Sequence, residues 1–231
     1  MKPHDRILDA ATAVFRRHGF RRSSIEQAAE AAGLTRQALY HHFKSKEALF
    51  RAVIGRVYES TLAAEIAAVE TTEKAGAGLA DILVAGVSGR LGHMITSFEG
   101  SPHIEELFSE HLLQARDLYQ KYSALYSAQT VATIERVCRR QRLAIQHGMT
   151  SRELARCVEM AVYGAKSMHP MMQPFAAFLA DFETMLRTLI AGAVAPARKA
   201  TPKAGPKPNS KPRRTKPAAA KKSARKPGDR K

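Results

Sequence analysis

Up to residue 194, apolar residues recur at helical spacing, and no stretch alternates apolar and polar positions as a half-buried strand does. Ile7, Leu8, Ala11, Val14 and Phe15 form a stripe at i, i+3, i+4 and i+7 over about residues 5–18, ended by Gly19 with Phe20 folding back. A second helix starts at Ser23 or Ser24, since Glu26 and Gln27 complete a capping box with either one, and it stops near Ala32 before Gly33. Thr35 caps a short third helix, about 36–42, and Ser45 caps a long fourth one through about Val69. After a loop at 71–78, helices are predicted over 79–98, 103–115 and 117–147. Ser151 and Glu153 then open a helix to about Met168, and a last helix spans about 174–194 beyond Pro170 and Pro174. The fold class is therefore all-α.

Composition changes that picture mainly at the ends. The chain has 231 residues and a formal charge of +16. Residues 196–231 hold 14 Lys/Arg and one acid, or +13; residues 1–58 hold 11 Lys/Arg and five acids, or +6; the middle carries −3. The last 36 residues are Lys, Pro, Ala, Arg and Ser with no aromatic or large aliphatic side chain. Such a segment buries too little apolar surface to offset its ordering entropy, so 196–231 reads as a disordered basic tail. Without aromatic residues it suits sequence-independent phosphate contact by counterion release, or serves only to solubilise. It lacks the apolar residues of an interfacial membrane helix, and no stretch approaches a membrane span. Cys138 and Cys157 lie in helical patterns without metal spacing and read as reduced thiols. With no signal peptide pattern, the expected setting is cytoplasmic, in association with the nucleoid.

The densest signal lies in SSIEQAAEAAGLTRQALYHHFKSK, residues 23–46, two short helices joined through a Gly turn. Such an arrangement places its second helix in the major groove of DNA. Leu39 and Phe43 point one way, while Arg36, Gln37, Tyr40 and His41 form the opposite surface. Arg36 can donate a bidentate pair to guanine, Gln37 can pair with adenine, and Ala38 can touch a thymine methyl. RILDAATAVFRRHGF at 6–20 together with LTRQALYHHFKSK at 34–46 resembles the TetR family of regulators over about residues 5–58. The resemblance implies phosphate contacts at Tyr40, His42 and Lys46, with Ser24 and Thr35 at helix N-termini. Gln37 departs from the family, where a small residue is frequent; its side chain either reads a base or lies along the backbone. The motif at 24–43 then belongs to a DNA-binding domain at 1–61, followed by a ligand-sensing and dimerisation domain at 62–195.

The resemblance also implies a homodimer through the helices at 151–168 and 174–194, binding a palindromic operator in double-stranded DNA. Leu154, Cys157, Val158, Ala161, Val162 and Ala165 make one face of the first helix. Phe175, Phe178, Leu179, Phe182, Met185, Leu186, Leu189 and Ile190 make a wide stripe on the second. Met94, Phe98, Phe108, His111, Tyr119, Tyr122 and Tyr163 combine apolar bulk with polar tips and are the candidates for binding a small organic ligand. No triad, nucleotide loop or metal spacing is present, so no enzyme activity, metal or cofactor is expected. The reading is a transcriptional regulator, a ligand-released repressor rather than an activator; the alternative is a nucleoid-associated protein that compacts DNA. In the regulator reading, ligand binding would act by shifting the fourth helix, as the family implies.

Overall fold

The computed structural model describes residues 3–197. The N-terminal elements are α1 (Pro3–Arg22), α2 (Ile25–Ala31), α3 (Arg36–His42) and α4 (Lys46–Lys74). Then come α5 (Leu79–Phe98), α6 (Ile104–Gln114), α7 (Arg116–Gln141), α8 (Ser151–Met168) and α9 (Phe175–Ala193). A 3-10 turn at Pro170–Met172 joins the last two helices. No helix among the described residues is long and apolar enough to cross a membrane. The tail reading falls on 198–231 beyond its first two residues, and those positions lie outside the described residues.

Local chemistry explains the short helices. Of the two serines, Ser24 caps α2: its Oγ accepts from Gln27 N at 3.2 Å, and the Gln27 side-chain oxygen accepts from Ser24 N at 2.8 Å. Ser23 is buried and donates to the Phe20 carbonyl instead. Thr35 and Ser45 cap α3 and α4 through Ala38 N and Ala48 N, both at 3.1 Å. Thr150, rather than Ser151, caps α8, in a capping box with Glu153. Gly19 breaks the regular dihedrals of α1 at φ 75°. A Cβ there would also lie 2.6 Å from a Glu106 carboxylate oxygen, so another residue would be strained at this φ and would push that carboxylate aside.

Two clusters of buried side chains hold the helices together. The first joins α1–α3 and the N-terminal half of α4 around Ile7, Phe15, Leu39, Leu49 and Phe50, and extends to Phe98, Leu107, Tyr122 and Tyr126. The helices that would read DNA thus share a core with α5–α7. The second cluster packs α5, α7, α8 and α9 around Ile82, Ile134, Leu154, Phe178, Phe182 and Leu186. α4 and α5 lie nearly in backbone contact, since a Cβ on Gly89 would sit 2.9 Å from the Ala68 methyl.

Three features differ from the sequence reading. α4 continues five residues past Val69, because Glu73 is gripped by Arg136 at 2.9 Å and Arg140 at 3.0 Å from α7. α7 stops at Gln141, where Arg142 takes φ 53°, and a short strand β1 (Leu143–Ile145) replaces the expected last turns. β1 pairs antiparallel with β2 (Val194–Pro196) in the register Leu143↔Pro196 and Ile145↔Val194. Each strand is too short to show alternation, and its partner is some fifty residues away, so nothing local announces the pairing. Finally, the proposed dimer faces are largely internal. Leu154, Val158, Val162, Ala165, Phe178, Phe182, Leu186 and Ile190 are buried within the subunit. What α8 and α9 leave outside is Met160, Tyr163 and Met168, together with Met185 from the expected stripe.

Candidate functional site

α3 is anchored from below and open above. Leu39 is fully buried and Tyr40 half-buried against the first core. Arg36, Gln37, His41 and His42 are exposed, as is the capping Thr35, and Ala38 and Ser24 are half-buried. Arg36 lies with its guanidinium 5.5 Å from the Tyr40 ring centroid and its Nε 2.8 Å from Glu26 of α2. The Glu26 backbone N–H, the Ser24 hydroxyl and Arg36 together hold the Glu26 carboxyl below its ordinary range. The arginine is thereby oriented across the turn before any base is met. Gln37 has no partner of this kind among the described residues.

Lys46 departs from its expected place on a phosphate. Its ammonium donates to the carbonyls of Phe20 at 2.9 Å, Arg21 at 3.3 Å and Ser23 at 3.1 Å. It also lies 4.5 Å from the Phe20 ring centroid. All three N–H groups are occupied in closing the end of α1 onto the start of α4, which leaves none for DNA in this arrangement.

Behind the helix-turn-helix lies a cavity of about 370 Å³. Of the seven ligand candidates, Met94, Phe108, His111, Tyr119 and Tyr163 line it. Phe98 sits instead at a small void beneath, and Tyr122 is a core residue stacked on Tyr58 at 5.0 Å and 10°. Sequence reasoning missed Tyr58, Arg90, Glu159 and Lys166, which also line the cavity. Arg90 did carry a signal, since with Asp81 it is one of only two Asp, Glu, Lys or Arg residues in α5.

The polar lining is unusual for so buried a place. Arg90 is 7% exposed, approaches Glu65 of α4 at 3.4 Å and lies 4.6 Å from the Tyr126 ring centroid. Burial pushes the Glu65 carboxyl up to about 7 against the opposing pull of Arg90. Burial, and secondarily Arg90, push the Lys166 ammonium down to about 8. His111 is likewise lowered by burial. Tyr119 and Tyr163 share a hydroxyl contact at 2.9 Å, which with burial raises Tyr163 to about 12. The Tyr58 hydroxyl is buried with no partner.

α6 connects the cavity to the end of α1. Phe108, His111 and Leu112 face the cavity. From the same helix Glu106 accepts from the Arg21 backbone N–H at 2.7 Å, and Glu110 accepts from Arg21 Nε at 2.9 Å. Nearby, Arg51 of α4 holds Asp117 through two bonds of 2.7 and 2.8 Å and the Gln114 carbonyl at 2.6 Å.

Comparison with known proteins bears on both halves. Residues 7–53 match the family described as bacterial regulatory proteins, tetR family. The HTH-type transcriptional regulator UidR of Escherichia coli K12 is 41% identical over 58 residues, which are 25% of this chain and 30% of that protein. The match therefore spans about a third of that relative's length. Over nearly the whole length the likeness is one of fold. The repressor SmeT of the Stenotrophomonas maltophilia efflux pump SmeDEF aligns with a TM-score of 0.57 at 22% identity, over 89% of this chain and 96% of that one. FadR of Bacillus subtilis, solved in complex with stearoyl-CoA, aligns with a TM-score of 0.59 at 16% identity, over 81% and 98%.

Proposed function

Through residues 7–53 the chain belongs to the TetR family, and on that premise we propose that it is a dimeric, sequence-specific DNA-binding regulator, a repressor released by a small organic ligand. One observation carries the reading: α6 lines the cavity through Phe108 and His111 and holds the end of α1, which packs on the helix-turn-helix, through Glu106 and Glu110. In this reading Arg36, Gln37 and His41 meet base edges, Ala38 meets a thymine methyl, and Ser24, Thr35, Tyr40 and His42 meet phosphates. Residues to about 61 do the reading, those to 195 sense and dimerise, and the basic tail adds affinity without sequence preference.

Ligand contact with Phe108 and His111 displaces α6, and Glu106 and Glu110 carry the displacement to Arg21 at the end of α1. Arg51 passes it to α4. A ligand can shift the spacing of two recognition helices only if it binds one arrangement better than the other. The exposed strip of Met160, Tyr163, Met168 and Met185 is the natural contact between two copies, placing the two α3 helices on half-sites of one palindrome. That the same fold serves a repressor and a regulator solved with an acyl-CoA supports the assignment by likeness of architecture.

Footprinting on fragments selected from genomic DNA, with the full chain at physiological salt, tests the proposal. A discrete palindrome is expected. Uniform coverage with no protected site would favour the DNA-compacting alternative and end the regulatory reading.

A further inference from the structure

The lining of the cavity is asymmetric. Leu91, Met94, Phe108, Leu112, Val162 and Met172 give it apolar walls. Against them stand two cations, Arg90 and Lys166, and one carboxylate, Glu159. Arg90 is already engaged by Glu65 and the Tyr126 ring. Lys166, half-buried in α8, forms no hydrogen bond or ion pair among the described residues. Tyr58 is 3% exposed, and its hydroxyl has no acceptor. The buried Tyr58 hydroxyl thus lacks the acceptor that a buried donor requires, and the Lys166 ammonium on the lining of the same cavity lacks a charge partner.

We infer that the ligand is an amphipathic carboxylate whose anionic head accepts from Lys166 and Tyr58 while its apolar body lies along Leu91, Met94, Phe108 and Met172. This rests on the reading of the cavity as a ligand site and specifies its chemistry. A carboxylate supplies the two missing acceptors at once and restores a charge partner to Lys166, whose proton affinity is depressed by burial and by Arg90. An alcohol satisfies one donor and leaves the ammonium uncompensated. An amine would meet Glu159 but face Arg90 and Lys166 with like charge.

Three probes of equal length decide the matter: octanoate, octan-1-ol and octylamine, titrated calorimetrically into the full chain at pH 7. Octanoate should bind at least about 10-fold more tightly than the alcohol, the value of one charge-assisted bond. Lys166→Met should remove that margin with octan-1-ol binding retained, and Tyr58→Phe should weaken octanoate and octan-1-ol alike, by several-fold. Unchanged thermal unfolding of the variants, with retained alcohol binding, shows that the cavity is intact. Equal affinities for octanoate and octanol, tightest binding of octylamine, or octanoate binding indifferent to Lys166→Met would each overturn the inference while leaving a ligand site in place. If none of the three, nor the amphipathic anionic dye 8-anilinonaphthalene-1-sulfonate, binds at millimolar concentration, the ligand reading itself fails.

Discussion

Lys46→Met separates two roles that one lysine at the start of α4 can play. The substitution keeps the length and apolar stem and removes the ammonium. The structure then loses three N–H···O=C bonds and a cation–aromatic contact. Hydrogen bonds from a charged donor contribute about 1.5–3 kcal/mol each when fully buried. Lys46 is only half-buried, and water can reach part of the released carbonyl surface, so the three together are worth about one such bond, ~2 kcal/mol. The ring contact adds about 0.5–1 kcal/mol. For a chain of this size, a loss of about 2–3 kcal/mol lowers the midpoint of thermal unfolding by roughly 4–12 °C. The same variant is then titrated against operator DNA over a range of salt. A lysine bound to phosphate contributes about 0.9 to the slope of log K against log salt, and one held by protein carbonyls contributes nothing. The expected result is a lower melting temperature with an unchanged slope. An unaltered melting temperature with a slope reduced by about 0.9 would refute the clasp and restore the phosphate contact.

Gln37→Ala should cost about 1–3 kcal/mol of discrimination at a single base pair of each half-site, measured by binding to systematically varied operators; uniform weakening at every position would place the side chain along the backbone. Met160→Glu combined with Met168→Glu should turn a dimer into a monomer in sedimentation velocity with little change in secondary structure, because these side chains are 53% and 74% exposed in the single subunit; a dimer that persists would move the interface elsewhere. Octanoate affinity should be steady below pH 7 and fall by about tenfold between pH 7 and 9, since Lys166 surrenders its proton near 8 and the carboxylate binds the protonated form. Arg90, His111, Tyr119, Glu159 and Tyr163 share the cavity lining with Lys166. Burial lowers His111 and Tyr163 is raised to about 12, so neither accounts for a change between pH 7 and 9, and a flat profile to pH 9 would remove Lys166 from the site.

The sequence by itself determined the helices, because helical spacing and caps act within a few residues. Ser24 with Gln27, Thr35 with Ala38 and Ser45 with Ala48 are local bonds, and the 36–42 and 79–98 segments were legible to the residue. The exposed face of α3 was legible for the same reason: burial of Leu39 on one side leaves Arg36, Gln37 and His41 on the other, while Tyr40, expected with them, is half-buried against the first core. Tertiary structure decided everything that depends on which apolar face meets which. The stripes on α8 and α9 are apolar whether they meet their own subunit or a second copy, and only packing showed that Phe178 and Leu154 are internal while Met160 and Met168 are outside. The three carbonyls beneath Lys46 come from residues 20, 21 and 23, more than twenty positions earlier. The β1–β2 pairing and the grip of α6 on Arg21 likewise join positions tens of residues apart. The cavity assembles Tyr58, Arg90 and Lys166 from three helices, and no pattern within any one helix reveals that their polar atoms share one apolar space.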